Sequence, residues 1–167
     1  MGMALRSDWS GELCPIRRSL DVLGDPWVLL IVRDVLHGPR RFDTLRENLG
    51  ISEAVLSRRL ASMIEAGLLE RVEQPSESGG ALRGYGATEA AVELLPALQH
   101  LAAWGERHTP LPEGGAHMAL IHLGCGGETE SAEQCTACGA RLSAEELVWD
   151  RPWREVSPPF APSGTIS

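Results

Sequence analysis

The chain has 167 residues, enough for one core of ordinary size or for one domain with a small appendage. Its formal net charge of −8 excludes a protein that binds nucleic acid by overall attraction, so contacts to phosphate need a local group of cations. It has no long apolar run and no signal-peptide core, so we expect a cytoplasmic protein without a membrane span. In that compartment, four cysteines favour metal or thiol chemistry over disulfides.

Three short helices are predicted after a polar N-terminal arm, residues 1–12. The first starts at Cys14-Pro15 and ends at Gly24, because proline is tolerated in a first turn and glycine commonly ends a helix. Asp25-Pro26 starts the second, whose nearly unbroken apolar content indicates a buried central helix. The third runs from Phe42 to Leu49, with apolar residues at spacings of three and four.

The segment from Gly50 to Ala91 predicts the order helix, strand, glycine-rich turn, strand. Ser52 is placed to cap the helix by accepting a backbone N–H, and Gly67 ends it. One face of this helix is apolar, whereas the other is small or cationic and fits a DNA groove. Strands from Leu68 to Glu73 and from Leu82 to Ala87 flank the turn. This order is typical of a winged helix, so the fold class is mainly α with a small β-wing.

A long helix from Thr88 to about His108 follows, and Pro96 is expected to bend it. Its apolar side is wide and consists of Val92, Leu95, Leu98, Leu101, Ala102 and Trp104. Because this stripe exceeds what a small domain needs, it indicates a homodimer interface. The alternative is simple packing over its own core. Residues 13–108 are therefore predicted to form a winged helix-turn-helix DNA-binding and dimerisation domain.

The remaining chain divides into a linker at residues 109–116, a compact module at 117–150 and a proline-rich flexible tail at 151–167. The module places His122 three residues before Cys125, and Cys135 three residues before Cys138. This spacing predicts a tetrahedral Cys3His site in a small zinc-ribbon-like β module. Four protein ligands leave no open position, so the zinc is expected to be structural. His117 is the alternative to His122, and free thiols are the alternative to a metal site.

Several short motifs follow one another in fixed order: CPIRRSLDVLGDPW at 14–27, GPRRF at 38–42, LSRRL at 56–60 and WGERH at 104–108. Together they resemble the HxlR-type family of bacterial winged-helix transcriptional regulators, over about residues 14–108. The resemblance implies a dimeric, sequence-specific regulator of double-stranded DNA whose occupancy changes with a chemical signal. Ala91 stands where the family's wing motif has glycine, and this departure concerns the wing contacts.

The resemblance also assigns DNA-contacting residues. The major-groove candidates are Ser52, Ala54, Ser57 and Arg58. Arg58 suits guanine or phosphate, whereas Arg59 either contacts DNA or pairs with a carboxylate near Glu65 or on the preceding helix. The phosphate-contact candidates are Arg40, Arg41 and Arg83, for which the alternative is a solvated surface charge.

Cys14 is a candidate redox sensor. It lies at a helix start with Arg17 and Arg18 close by, and both the helix N-terminus and arginine favour the thiolate. Some relatives of the family sense oxidants through the equivalent cysteine. The alternative is an inert residue that packs the first helix.

We expect no enzyme, because no base accompanies Cys14 and the predicted zinc ligands are saturated. The rival function is a protein-interaction module that docks partners through the zinc-ribbon-like unit. A small-molecule effector in an apolar cleft between the last helix and the Trp27 helix is a further hypothesis.

Overall fold

The computed structural model describes residues 8–75, 81–153 and 159–160. The elements in chain order are α1 (Pro15–Leu23), α2 (Pro26–Val35), α3 (Phe42–Leu49), α4 (Glu53–Glu65), β1 (Leu69–Pro75), β2 (Ala81–Ala87), α5 (Glu89–Val92), α6 (Leu95–His108), β3 (Ala119–His122) and β4 (Leu147–Asp150). The helices and the first hairpin form a winged helix-turn-helix, and the second hairpin belongs to the C-terminal module, which confirms the predicted fold class. None of the helices in the described ranges is both long and apolar enough to cross a membrane.

Local sequence explains where the first helices begin and end. Pro15 lies in the first turn of α1, and the Asp25 side chain accepts the Trp27 backbone N–H at 3.0 Å at the start of α2. Gly50 has φ +61° after α3, in the left-handed region that glycine tolerates. Ser52 does occupy the N-cap position of α4, but its side chain accepts no capping hydrogen bond, so the predicted side-chain cap is wrong.

The core of the winged helix is built around α2. Ile31, Val32 and Val35 on α2 are fully buried, as are Leu56 and Leu60 on the inward face of α4. This confirms the predicted central helix and the apolar face of α4. Burial of one face of α4 leaves its opposite face exposed to solvent.

The wing is an antiparallel hairpin in which Leu69 of β1 lies opposite Ala87 of β2. Arg40, just before α3, exchanges two backbone hydrogen bonds of 2.8 Å with Tyr85 and so adds a short third strand. A Cβ on Gly84 would lie only 3.1 Å from the Arg40 carbonyl oxygen, which explains the glycine there. The predicted glycine-rich turn at residues 75–80 lies, apart from Pro75, outside the described residues.

The segment after the wing departs from the single bent helix that was predicted. Thr88 caps a short α5 by accepting the Ala91 N–H, and a second helix, α6, begins at Leu95. Pro96 lies in the first turn of α6. A proline lacks the N–H that a continuing helix needs, so here it starts a helix and does not bend one.

The C-terminal module packs directly on the winged helix. Trp149 of β4 is buried and donates its indole N–H to the buried side chain of Gln99 on α6 at 3.0 Å. The rings of His37 and Phe160 enclose it, with Phe160 centred 4.6 Å from His37 and 4.8 Å from Trp149. Phe160 is fully buried, which contradicts the expectation that residues 151–167 lie outside the packed core. Proline-rich composition did not reveal that one aromatic side chain returns to the core.

Candidate DNA interface and metal-binding cluster

The outer face of α4 is exposed and carries small residues. Four of the predicted major-groove residues lie on this solvent side: Ser52, Ala54, Ser57 and Arg58. The Arg58 guanidinium donates from Nε to the Ala54 carbonyl at 3.3 Å, and no described carboxylate forms a salt bridge with it. This face therefore offers a cation on a surface of small side chains that allows close approach to a groove.

Arg59 is placed differently from its neighbour. Its guanidinium forms a salt bridge with Asp25, the residue that caps α2, and both side chains are partly buried. Of the two alternatives left open by the sequence, the pairing with a carboxylate is the one present, although the partner is neither near Glu65 nor on α3. The ion pair ties α4 to the start of α2 and so positions the exposed face.

The other three arginine candidates differ in exposure. Arg40 directs its guanidinium to the carbonyl oxygens of Pro39 and His37, at 3.2 and 3.4 Å. Arg41 is exposed at the N-cap of α3, and Arg83 on the wing is 84% exposed with Glu73 at 3.8 Å. Arg41 and Arg83 are therefore accessible to a phosphate, whereas Arg40 is engaged in its own turn.

Arg46 was missed by the sequence reasoning. Its guanidinium lies 3.5 Å from Asp43 on the same helix and 3.9 Å from Glu53 in the first turn of α4. The spacing of three residues to Asp43 was the available signal. Arg46 thus lies between α3 and the first turn of α4, in exposed ion pairs of the kind that contribute little to stability.

Cys14 is exposed at the N-cap of α1. The arginines expected to favour its thiolate are engaged elsewhere. Arg17 pairs with Glu12 at 3.2 Å, and Arg18 donates to the carbonyl oxygens of Glu12 and Leu13 at 2.7 and 2.8 Å. One of the two arguments for Cys14 is thereby weakened, and its helix N-terminus remains.

Four side chains of the C-terminal module converge: His122, Cys125, Cys135 and Cys138. Their ligand atoms all lie within 4.8 Å of one another. His122 Nδ1 is 3.3 Å from Cys125 Sγ and 3.5 Å from Cys138 Sγ, while Cys125 Sγ is 3.7 Å from Cys135 Sγ. A tetrahedral ion with metal–sulfur bonds of about 2.3 Å needs its sulfurs about 3.8 Å apart, so the donor set fits such an ion.

Tight turns around the cysteines create this cluster. Gly126 and Gly139, each following a cysteine, have φ +68° and +75°, and the Gly127 N–H lies 3.4 Å from Cys125 Sγ. Backbone N–H groups of Cys138 and Ala137 lower the pKa of the Cys135 thiol to about 6. The turn at residues 135–139 therefore favours the thiolate of Cys135, which is the form that binds metals.

His117 lies outside the cluster. It bonds through Nδ1 to Glu106 of α6 at 2.6 Å, and the other oxygen of Glu106 accepts the Met118 N–H at 3.2 Å. These bonds, the one to His117 first, hold the pKa of Glu106 below its usual value. The geometry therefore favours His122 over His117 as a ligand, and Glu106 fastens α6 to the residues before β3.

Five of the exposed large apolar side chains lie on α1 and α6 or in the two residues before α1. They are Leu13, Ile16 and Leu20 at α1, and Leu101 and Trp104 on α6, each about half exposed or more. By contrast, Leu95 and Leu98 of α6 are buried against the chain's own core. The stripe predicted along the last helix is thus divided between the core and an exposed part. The exposed apolar residues at α1 and α6, Leu13, Ile16, Leu20, Leu101 and Trp104, are together called the apolar patch.

A cleft of about 840 Å³ separates the start of α6 from the C-terminal module. Val92, Leu95 and Pro96 line one side, and Ala132 and Leu142 are among the residues on the other. This cleft lies elsewhere than the position hypothesised between the last helix and the Trp27 helix.

Comparison with known proteins places the chain among regulators. A model of the HxlR-like helix-turn-helix family matches residues 22–112. The chain is 38% identical over 133 residues to Rv3095 of Mycobacterium tuberculosis, an uncharacterised HTH-type transcriptional regulator, covering 80% of this chain and 82% of that protein. It is 33% identical over 95 residues to YvaP of Bacillus subtilis, of the same description, covering 56% of this chain and 86% of that protein.

A solved structure extends this likeness. PA1607, a candidate transcription factor, superposes with a TM-score of 0.63 at 32% identity and covers 84% of this chain and 96% of that one. Residues 1–112 alone cannot supply that coverage, so the likeness reaches into the C-terminal module. These matches are to transcriptional regulators, which confirms the expectation that the chain is not an enzyme.

The Arg59–Asp25 pair can be tested with two variants of one residue. Asp25→Asn keeps an oxygen for the Trp27 N–H but loses the ion pair, and we expect it to lower the free energy of unfolding by about 0.5 to 1 kcal/mol. Asp25→Ala also loses the cap and should cost about 1 kcal/mol more. Urea unfolding measures both. Equal losses in the two variants would show that the ion pair contributes and the cap does not.

Proposed function

The chain belongs to the HxlR-like helix-turn-helix family and is a DNA-binding transcriptional regulator, and on this premise we propose that it binds its operator as a homodimer through α4. The observation that carries the proposal is the exposed face of α4, where Arg58 stands among Ser52, Ala54 and Ser57. Small side chains let the helix enter the major groove, and a guanidinium can donate two hydrogen bonds to one guanine or one phosphate.

Supporting contacts flank α4 on both sides. Arg41 at the start of α3 and Arg83 on the wing are exposed and carry charges that phosphate attracts. Arg40 and Arg59 belong to this surface mainly as positioning residues, because their guanidinium groups are engaged with a turn and with Asp25. In this scheme Arg58 selects sequence, while Arg41 and Arg83 contribute affinity that weakens as salt rises.

The apolar patch supports the homodimer. Leu13, Ile16 and Leu20 with Leu101 and Trp104 would be covered by the same residues of a second chain, since a two-fold interface is self-complementary. Two α4 helices would then face half-sites about 34 Å apart, one helical turn of DNA. The proposed site of action is the cytoplasm, because the DNA partner lies there.

We assign zinc to the Cys3His cluster because thiolate and imidazole are the donors that tetrahedral zinc prefers. All four positions are filled by protein, so this zinc is structural. Residues 117–150 are few for a hydrophobic core of their own, and the metal would hold their turns together.

A chemical signal is proposed to change DNA occupancy. Cys14 is one candidate oxidant-responsive thiol, because it is exposed at the N-cap of α1 beside the apolar patch. The cleft of about 840 Å³ between α6 and the C-terminal module is large enough for a small-molecule effector.

Replacing Arg58 by alanine tests the DNA interface. We expect Arg58→Ala to weaken operator binding by the homodimer roughly 30-fold or more, because each of the two chains loses one good base contact of about 1 to 3 kcal/mol. The measurement is fluorescence anisotropy on DNA that the wild-type chain selects from a random pool. Arg141→Ala, with the same charge change in the C-terminal module, is the control and should bind as the wild type does. If Arg58→Ala bound the operator as tightly as Arg141→Ala does, the proposal that α4 contacts DNA through Arg58 would be wrong.

Placing a charge in the apolar patch tests the dimer. Leu101→Glu should halve the mass measured by light scattering, because a carboxylate buried between two chains is costly. Leu111→Glu makes the same change at a leucine of similar exposure outside the patch and should remain dimeric. The homodimer proposal fails if both variants keep the wild-type mass, or if the wild type is monomeric.

Metal content tests the zinc proposal. We expect one zinc per chain after dialysis, measured by inductively coupled plasma mass spectrometry, and almost none in Cys135→Ser because a hydroxyl is a poor zinc ligand at neutral pH. Cys14→Ser should retain the full zinc content. A wild-type chain without zinc, or a Cys135→Ser chain that keeps it, would contradict the assignment.

A further inference from the structure

The Cys3His cluster is joined to the regulatory surfaces through one strand. His122 is the last residue of β3, whose partner β4 carries Trp149. Trp149 donates to Gln99 of α6, and α6 also carries Leu101 and Trp104 of the apolar patch. Strand pairing and packing therefore connect the cluster continuously to α6, which carries part of the proposed dimer interface.

The thiols of the cluster differ in exposure. Cys125 and Cys138 are exposed, whereas Cys135 is buried with its Sγ 3.7 Å from that of Cys125. An exposed cysteine with a second one beside it is the arrangement in which a first oxidation is rapidly followed by disulfide formation. Glycines at 124, 126 and 127 give the Cys125 backbone freedom to move toward Cys135.

We propose that the cluster is an oxidation site at which a peroxide converts Cys125 and Cys135 into a disulfide, expels the zinc and thereby releases the chain from DNA. This inference rests on the zinc and the DNA binding proposed above. It assigns the chemical signal to the C-terminal module and not to Cys14.

The reaction balances with one peroxide for each disulfide. The Cys125 thiolate attacks one oxygen of hydrogen peroxide, the O–O bond breaks and hydroxide leaves, which gives a sulfenic acid at Cys125. The Cys135 thiolate then attacks the Cys125 sulfur and displaces hydroxide as the S–S bond forms. Two sulfurs together lose two electrons, the peroxide gains them, and two protons complete two water molecules. With Cys125 and Cys135 joined, only His122 and Cys138 would remain to hold a zinc ion, which is too few for a closed tetrahedral site.

Zinc loss removes the constraint on β3 and β4. The His122 backbone N–H bonds to the Gly127 carbonyl and the Leu123 N–H bonds to Glu146, so the cluster's turns and the hairpin share their hydrogen bonds. Loosening these bonds withdraws Trp149 from Gln99 and His37. The α6 helix then loses a buried partner, and the two α4 helices lose the fixed spacing that an operator requires.

Cys14 lacks the corresponding features. Its neighbours Arg17 and Arg18 are engaged with Glu12 and Leu13, and it belongs to no cluster of metal-ligating side chains within the described residues. Cys14 therefore serves as the matched control for oxidation at an exposed thiol.

The test treats the full-length, zinc-loaded protein with hydrogen peroxide. The Cys14→Ser variant receives the same treatment in parallel. Free zinc is followed with a chromogenic chelator, disulfides are mapped by mass spectrometry, and operator binding is measured by anisotropy. We expect both proteins to release one zinc per chain, to form the Cys125–Cys135 disulfide and to lose operator affinity at least tenfold. Thiol reductant with added zinc should reduce the disulfide and restore both the zinc content and the operator affinity. Hydrogen exchange should rise in residues 95–108 as well as in residues 119–150.

Three results would overturn the inference. One is loss of DNA binding in the wild type with zinc retained. A second is a Cys14→Ser protein that no longer responds, which returns the signal to Cys14. The third is zinc release with unchanged hydrogen exchange in α6 and unchanged affinity. The proposed function is tested separately on the untreated protein. If that protein contains no zinc or does not bind DNA, the proposed function is wrong. The disulfide mapped after peroxide treatment still shows whether the cluster is oxidised.

Discussion

The burial of Trp149 is the interaction on which the arrangement of the two units depends. An indole N–H in a core needs an acceptor, and Gln99 supplies one from a side chain that is itself buried. Removing either partner leaves the other buried and unsatisfied, so the pair specifies how β4 sits on α6. His37 and Phe160 close around the indole. The metal-binding unit and the winged helix consequently share one core.

That shared core explains which parts of the fold the sequence could predict. Local sequence signals mark the ends of the first helices, so these ends can be predicted. Examples are the helix starts at Pro15 and Asp25 and the helix end at Gly50. The division of the last helix into α5 and α6 was not predicted, because a proline at this spacing permits either a bend or a new start. Phe160 was missed for another reason: its burial depends on contacts with His37 and Trp149, which are distant in sequence.

The candidate sites follow the same division between local and distant constraints. The convergence of His122, Cys125, Cys135 and Cys138 was predicted because two short-range pairs and their glycines encode the turns. The outward face of α4 was predicted from helical spacing. Long-range pairing escaped the sequence: Arg59 reaches Asp25, and Arg46 reaches Glu53. Two neighbouring arginines of one motif thus have separate roles, since Arg58 faces outward while Arg59 holds the helix in place.

The net negative charge of the chain limits DNA binding to a small part of its surface. The chain carries a net −8, with its acidic residues continuing through the C-terminal module, so a phosphate backbone is repelled by much of the surface. Binding that relied on general attraction would fail at physiological salt, where exposed charges farther apart than about 8 Å are screened. Affinity must instead come from a few close contacts, and the proposed homodimer would make each of them twice on one operator. In the proposed dimer, binding would depend on the spacing of the two α4 helices, and the C-terminal module packs against α6 through Trp149 and Gln99.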